Sequence, residues 1–171
     1  MSMKFLTKIG YILDRTYSLL ALMAAIILVL LMLSVSYTVV TRYVLGMSTP
    51  WLFEIWEYCI LYIPFLGGAW LLRREGHVSV DIAVTHLKPR AKAVLGIITS
   101  LIGSSVCLGL TWYGAQATLM LLEKGYRIPG EIYPPQFLIV MIIPIGSFLL
   151  LIQFLRRTYG FIRQSTAYGG R

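Results

Sequence analysis

The chain has 171 residues, of which 58% are hydrophobic and only 13% are charged. A soluble domain has about 45–50% apolar and about 25% charged residues, so this composition excludes a disordered chain and argues against a water-soluble domain. The formal net charge of +8 is typical either of a nucleic-acid-binding protein or of a membrane protein with basic loops. The positions of the basic residues distinguish these two classes.

Residues 1–15 are the first predicted element. Leu6, Ile9 and Leu13 repeat at helical spacing among cationic positions, a pattern typical of an amphipathic helix that lies near lipid headgroups. The alternative is a secretory signal peptide, but the apolar run that follows is longer than the roughly 7–15 residues of such a signal. No clean cleavage site follows that run either. We therefore predict a separate amphipathic lead-in over residues 1–15.

Four long apolar stretches follow the lead-in. A membrane-spanning helix needs about 20 mostly apolar residues, and each stretch is long enough. A β-barrel would instead show alternating segments of about 10 residues. We predict an all-α integral membrane protein with a transmembrane domain over residues 16–160 and a mobile cytoplasmic tail over 161–171. The four spans are expected at about residues 17–44, 51–72, 93–122 and 133–155.

The basic residues are divided unequally between the two ends of these spans. Arg42, Lys124 and Arg127 lie in the first and third loops, whereas the other 12 basic residues lie in the second loop and the two terminal segments. The positive-inside rule then places both termini in the cytoplasm. A nucleic-acid-binding protein would gather its basic residues on one soluble face with interleaved aromatic residues, so we predict no nucleic-acid partner.

The sequence gives little support for a disulfide-exchange site, a haem site or a metal site built from cysteine or histidine. Cys59 and Cys107 each fall within a span and form no C-x-x-C motif, so we interpret them as small buried residues. His77 and His86 lie in a predicted loop, whereas a membrane haem anchor needs axial ligands within its helices. We predict no catalytic residue, no metal site and no substrate-binding site in this chain.

Two carboxylates lie near the start of the second span. Glu54 and Glu57 are three residues apart and therefore share a helix face, beside Trp51 and Trp56, which are typical of a membrane interface. A carboxylate within a membrane is costly, and by default it is functional or faces a partner. Three interpretations stay open: proton transfer, as in small four-helix exporters; pairing with Arg or Lys of another subunit; and solvation at the outer interface.

Prolines and small residues predict bends and close packing. Pro64 removes a helical hydrogen bond, and the Gly67-Gly68 pair lets backbones approach closely. Pro144 lies inside the fourth predicted helix and predicts a kink. Transporters with a substrate site usually show interrupted helices and inward polar groups in paired halves, which this sequence lacks. These features indicate a membrane subunit that works with a larger partner.

Four short motifs then follow one another in a defined order. They are Trp51-x-x-Glu54, Phe65-Leu66-Gly67-Gly68-Ala69, Arg73-Arg74-x-Gly76-His77-Val78-x-Val80-Asp81 and Ile143-Pro144-Ile145-Gly146. This series resembles the small membrane subunit, of the DctQ type, of the tripartite ATP-independent periplasmic (TRAP) transporters. The chain departs from that family at Phe53, where adjacent acidic residues often follow the Trp; here the second acid is Glu57.

The resemblance implies a scaffold subunit in the bacterial inner (cytoplasmic) membrane. It implies a large multi-helix membrane subunit as partner, which would carry the substrate and sodium sites, and a periplasmic substrate-binding protein as a second partner. The implied activity is sodium-driven import of an organic acid of the C4-dicarboxylate or sialic acid class. No cofactor is expected in this chain, which the lipid bilayer surrounds. The alternative function is a self-sufficient homodimeric exporter that couples transport to protons through Glu57.

The resemblance and the placement of charges together give candidates for subunit contact or membrane anchoring. Glu54 and the motif around Asp81 lie at the two ends of one helix, which favours a role in assembly or anchoring. Capping of a cytoplasmic helix is an equally open role for Asp81. The full set of candidates is Trp51, Glu54, Glu57, Gly67, Gly68, Arg73, Arg74, His77 and Asp81.

Overall fold

The computed structural model describes the backbone over residues 2–47, 49–75 and 89–169, and the side chains over 10–47, 49–74 and 94–162. The helices in these ranges are α1 (Ser2–Val44), α2 (Pro50–Glu75), α3 (Pro89–Lys124), α4 (Gln136–Val140) and α5 (Ile142–Gly169). Four segments of this described part are long and apolar enough to cross a membrane, namely Gly10–Val44, Pro50–Arg74, Val94–Lys124 and Gln136–Ile162. The predicted all-α multi-pass membrane fold is confirmed.

At both ends of the chain a helix continues across a predicted boundary. α1 runs from Ser2 to Val44 without a break, so the backbone of the predicted lead-in continues into the first span, and the division of the chain at residue 15 stays a prediction. The physical reason is that Gly10 alone costs a helix only about 1 kcal/mol, which does not offset the hydrogen bonds of a continuous helix. Likewise α5 continues to Gly169, so the backbone of the expected tail is helical over its described part. Headgroup placement of residues 1–15 and mobility of the tail stay predictions.

The first helix ends at a left-handed glycine. Gly46 has a φ of 65°, and the backbone N–H groups of Leu45 and Met47 both turn back to the carbonyl of Thr41, at 3.0 and 3.3 Å. Glycine adopts this conformation without the steric cost of a Cβ atom. The chain therefore turns here, and the next helix begins a few residues later at Pro50.

The fourth span is broken, as the position of Pro144 predicts. Met141 separates α4 from α5, although its own backbone stays helical, with φ −62° and ψ −20°. Pro144 has no N–H to donate to the carbonyl of Val140, so the regular hydrogen-bond ladder is interrupted at this point. Pro64 has no such effect on the continuity of α2, which extends from Pro50 to Glu75.

The long helices form an open series of pairs rather than a closed bundle. The principal contacts join α1 to α2, α2 to α5, and α5 to α3, so the spatial order differs from the chain order. The apolar core lies where α1, α2 and α5 meet, around Ala24, Leu66 and Ile142. Much of the apolar surface of the flanking helices remains exposed on the isolated chain.

Glycines allow the central helices to approach closely. A Cβ atom on Gly146 of α5 would lie 2.5 Å from the Cβ of Phe65 and 3.0 Å from its carbonyl oxygen. On α3, Gly103 receives the ring of Phe154, which would lie 2.6 Å from an added Cβ. Gly103 of α3 and Gly146 of α5 thus serve helix packing within this chain.

Candidate functional site

Glu54 lies in the first turns of α2 and binds the loop that connects α3 to α4. Its Oε1 accepts a hydrogen bond from the backbone N–H of Glu131 at 2.7 Å, and its Oε2 accepts one from that of Ile132 at 3.2 Å. Consecutive backbone N–H groups of this kind form a concave site for an anion. The carboxylate therefore fastens the loop to the start of α2 through charge-assisted hydrogen bonds.

The loop has the shape that this contact requires. Gly130 brings the backbone against Glu54 so closely that an added Cβ atom would lie 2.5 Å from Oε1. Tyr133 has a φ of 56°, which is uncommon for a residue with a side chain. A bridge between Arg127 and Pro135 closes the base of the loop. The carboxylate of Glu54 thus meets a structured turn.

The hydrogen bonds of Glu54 show that its carboxylate binds a loop of the same chain. They do not test whether either carboxylate has a role in assembly. The sequence did not predict that Glu54 would find its hydrogen-bond donors within the chain. Glu57, one turn further along α2, is exposed. A subunit contact through either residue therefore stays a prediction.

The tryptophans beside these carboxylates have different environments. Trp51 is exposed. Trp56 donates a hydrogen bond from Nε1 to Oγ of Ser34 on α1 at 2.7 Å, and Phe53 packs edge-on against its ring at a centroid distance of 4.6 Å. Trp56 therefore joins α2 to α1 just inside the Glu54 end of the helix.

At the opposite end of α2, two arginines bind one aspartate. Arg73 Nη2 lies 3.1 Å from Oδ2 of Asp14, and Arg156 Nη1 lies 3.0 Å from Oδ1. The Asp14 side chain is only 28% exposed. Because Asp14 belongs to α1, Arg73 to α2 and Arg156 to α5, this single carboxylate joins three helices.

A second contact supports this cluster one turn deeper in the helices. Tyr17 is fully buried, and its hydroxyl donates a hydrogen bond to the carbonyl of Leu149 at 3.3 Å. Gly10, one turn before Asp14, leaves space beside the guanidinium of Arg156. The N-terminal half of α1 is therefore held against α5 as well as against α2.

The remaining described candidates face other groups. Arg74 stacks its guanidinium over the ring of Trp70, 4.4 Å from the centroid. A Cβ on Gly67 would lie 3.7 Å from that of Ala24, and one on Gly68 would lie 3.5 Å from Leu150, which are ordinary packing distances. The glycine pair thus faces α1 and α5 within this chain.

Two candidates, His77 and Asp81, lie outside the described residues. Their roles in assembly, anchoring or capping stay predictions. His86 also lies outside the described residues.

Sequence reasoning missed Asp14 and the buried serines. Asp14 entered only the charge count, although an acid at the same membrane end as the paired arginines of two other helices was a usable signal. Ser100 and Ser147 are fully buried, and their hydroxyls have no hydrogen-bond partner among the described residues. No sequence signal separates these two serines from the exposed ones.

Comparison with known proteins gives one family. Residues 31–164 match the model of the DctQ component of tripartite ATP-independent periplasmic transporters. The ectoine TRAP transporter small permease protein TeaB of Halomonas elongata is 30% identical over 117 residues, which cover 68% of this chain and 60% of that protein. The C4-dicarboxylate TRAP transporter small permease protein DctQ of Rhodobacter capsulatus is 26% identical over 121 residues, which cover 69% and 52%. The matched region thus spans between half and three fifths of these relatives.

Proposed function

The chain belongs to the DctQ family of TRAP transporter small permease subunits, and we propose that it is a static scaffold for a large membrane subunit. In this proposal the large subunit carries the substrate and the sodium ions, and a periplasmic substrate-binding protein delivers the substrate. The chain itself supplies a supporting surface within the bilayer.

The observation that carries this proposal is the open arrangement of the helices. α1 contacts mainly α2, and α3 contacts mainly α5, so each flanking helix leaves a broad apolar face outside the chain. On α3 this face includes Leu101, Ile102, Val106 and Leu108, all at least half exposed. Lipid covers such a face adequately, and so does an apolar partner helix with small residues at the contact.

The contacts at the two ends of α2 suit a static role. Glu54 fixes the α3–α4 loop to α2, and Asp14 joins three helices at the other end. A support must keep its shape while a moving subunit works against it. Polar contacts at both ends of the central helix restrict the tilting of the helices relative to one another.

The finer parts of the proposal have separate supports. The charge bias of the loops favours an inner-membrane protein with both termini in the cytoplasm. The relatives named above are described as parts of ectoine and C4-dicarboxylate transporters, which supports a carboxylate-bearing organic solute. Sodium as the driving ion, and sialic acid as a further possible substrate, rest on the resemblance of the motifs.

Co-expression and reconstitution test the proposal. The chain, tagged, is purified with the large subunit encoded beside it, and the pair is placed in liposomes with the substrate-binding protein. We expect uptake of ectoine, a C4-dicarboxylate or sialic acid that requires an inward sodium gradient and all three proteins. Uptake by the large subunit and binding protein alone, at the same rate, would contradict the scaffold role.

The exporter alternative is not favoured by the family assignment, and a direct measurement separates it. The purified chain alone is placed in liposomes with an imposed proton gradient and a cationic substrate. Proton-coupled transport that Glu57→Gln abolishes would support the exporter and reject the scaffold. We expect no transport by the chain alone.

A further inference from the structure

A groove between α1 and α2 opens to the outside of the chain. Its volume is about 460 Å³, and its walls are almost wholly apolar. Ala21 and Ala25 line it from α1, and Gly67, Trp70 and Leu71 line it from α2. The small residues make the groove, because larger side chains at these positions would fill it. Within a membrane such a space is filled by a hydrocarbon chain or by a partner's side chains.

A positively charged side chain, that of Arg74, lies at one end of this groove. Arg74 follows Leu71 by three residues, so it lies on the same face of α2 about 4.5 Å nearer the helix end. Its guanidinium packs over Trp70, which is itself part of the groove wall. The apolar groove and the positive charge of Arg74 are therefore parts of one continuous surface.

The charge of Arg74 differs from that of its neighbour. Arg73 is paired with Asp14, whereas no described carboxylate lies within ion-pair distance of Arg74. Arg74 is also exposed. An arginine at the membrane boundary whose guanidinium is stacked on an aromatic ring is a donor suited to a phosphate group.

We propose that the groove between α1 and α2 binds one acyl chain of an anionic phospholipid, whose phosphate is held by Arg74. The depth matches this occupant. From Leu71 to Ile63 the groove follows α2 for about 12 Å, and one leaflet of the hydrocarbon core is about 15 Å thick. A phospholipid always brings its phosphate to the level of Arg74, whereas a partner helix would need a carboxylate at that height.

This inference rests on the membrane placement in the proposed function but not on the large subunit. The bound lipid would seal the α1–α2 seam at the end that carries Arg73 and Arg74. Failure of the lipid site and failure of the scaffold role are therefore separate results.

Fluorescence quenching of Trp70 tests the site in the full chain reconstituted in nanodiscs. Trp51, Trp56 and Trp112 are replaced by Phe, so that Trp70 is the remaining tryptophan. Phosphatidylglycerol and phosphatidylcholine with brominated acyl chains are compared at equal low mole fraction. We expect brominated phosphatidylglycerol to quench Trp70 with an apparent affinity about fivefold higher, as one arginine near an anionic lipid gives.

Matched variants distinguish the contribution of the Arg74 charge to lipid binding from the contribution of the groove. Arg74→Gln should abolish the preference for phosphatidylglycerol. Arg157→Gln should retain it, because Arg157 stacks on Phe161 in a similar way but on α5. Ala25→Phe fills the groove and should reduce quenching by both lipids. Leu22→Phe, at an exposed position of α1 outside the groove lining, should not.

Equal quenching by the two lipids, or an unchanged preference in Arg74→Gln, would overturn the proposal. Native mass spectrometry of the chain with its natural tryptophans keeps the test valid if the single-tryptophan variant does not fold. There, Arg74→Gln should retain about fivefold less phosphatidylglycerol, and Arg157→Gln should retain the normal amount. If assembly with the large subunit removes the quenching of Trp70, a partner helix occupies the groove; the lipid proposal then fails while the scaffold role stands.

Discussion

The two ends of α2 are fastened to the rest of the chain by different chemistry. At one end, Glu54 accepts hydrogen bonds from two backbone N–H groups of a turn. At the other, Asp14 accepts ion pairs from Arg73 and Arg156. Backbone donors are fixed by the fold of the loop, whereas arginine side chains are long and follow a partner that moves.

The difference shows that one end is specified by geometry and the other by charge. A backbone N–H group points in one direction, so a small error in the loop removes the contact with Glu54. Two guanidinium groups present several N–H donors each, so the Asp14 cluster tolerates small displacements but depends on ionic strength. Substitutions should therefore affect the two ends in different ways.

The largest effect should come from breaking the apolar contact that lies between these two ends. Gly146→Ala places a Cβ 2.5 Å from that of Phe65, where neither backbone can yield easily. We expect the free energy of unfolding in mixed micelles to fall by about 2–3 kcal/mol. Gly160→Ala is the control, because nothing lies within 4 Å of its added Cβ. Equal stability of the two variants would show that the α2–α5 contact is looser than described.

The Glu54 end should be the next most sensitive. Glu54→Gln leaves one acceptor oxygen but turns an NH₂ group toward a backbone N–H, so one hydrogen bond and the charge assistance are lost. We expect a loss of about 2 kcal/mol and faster tryptic cleavage after Arg127 in the loop. Glu57→Gln, at an exposed position one turn away, should change neither measurement. The geometric interpretation fails if both variants are cleaved at the same rate.

The Asp14 end should show a smaller effect with a distinct salt dependence. Asp14→Asn leaves two arginines close together without a carboxylate, and we expect a loss of about 1 kcal/mol, since the cluster is partly exposed. High salt should weaken the wild type and leave the variant nearly unchanged. In an Arg73→Gln, Arg156→Gln background the same substitution should have little effect. A salt response identical in wild type and Asp14→Asn contradicts the charge-based interpretation.

The smallest effect should come from the hydrogen bond between Trp56 and Ser34. Ser34→Ala removes the acceptor of the indole N–H, and hydrogen bonds between helices in membranes average about 0.6 kcal/mol. In Ser34→Ala we expect the wavelength of maximum tryptophan emission to shift and the free energy of unfolding to fall. Ser36→Ala is the matched control, because its hydroxyl bonds only to the carbonyl of Met32 in the same helix. An equal shift in both variants would mean that the Trp56 contact contributes nothing specific.

Hydropathy predicted the membrane spans because each is far more apolar than a soluble helix needs to be. This high hydropathy gives no information about the order of the spans in space. A helix that is apolar on all sides offers no stripe that marks the face toward its neighbours, so the pairing of α2 with α5 had no sequence signal. Pro144 is the opposite case, because a missing N–H has a local effect that can be predicted at its own position.

The polar contacts could be predicted only in part. The sequence marked Glu54 as a costly carboxylate and Arg73 as a candidate for subunit contact or anchoring, and both make polar contacts at the ends of α2. Their partners could not be predicted, because Glu131 lies 77 residues from Glu54 and Asp14 lies 59 residues from Arg73. Such pairs depend on the three-dimensional order of the helices, and that order was the missing information.

The order of the helices has a consequence for biogenesis. α2 and α3 follow one another among the described helices, yet α5 lies between them in space. During translation α1, α2 and α3 are synthesised before the helix that joins them. In the folded chain α5 lies between these two earlier parts, with Gly146 against Phe65 and Arg156 against Asp14. The contacts that join α2 to α3 through α5 can therefore form only after α5 has been synthesised.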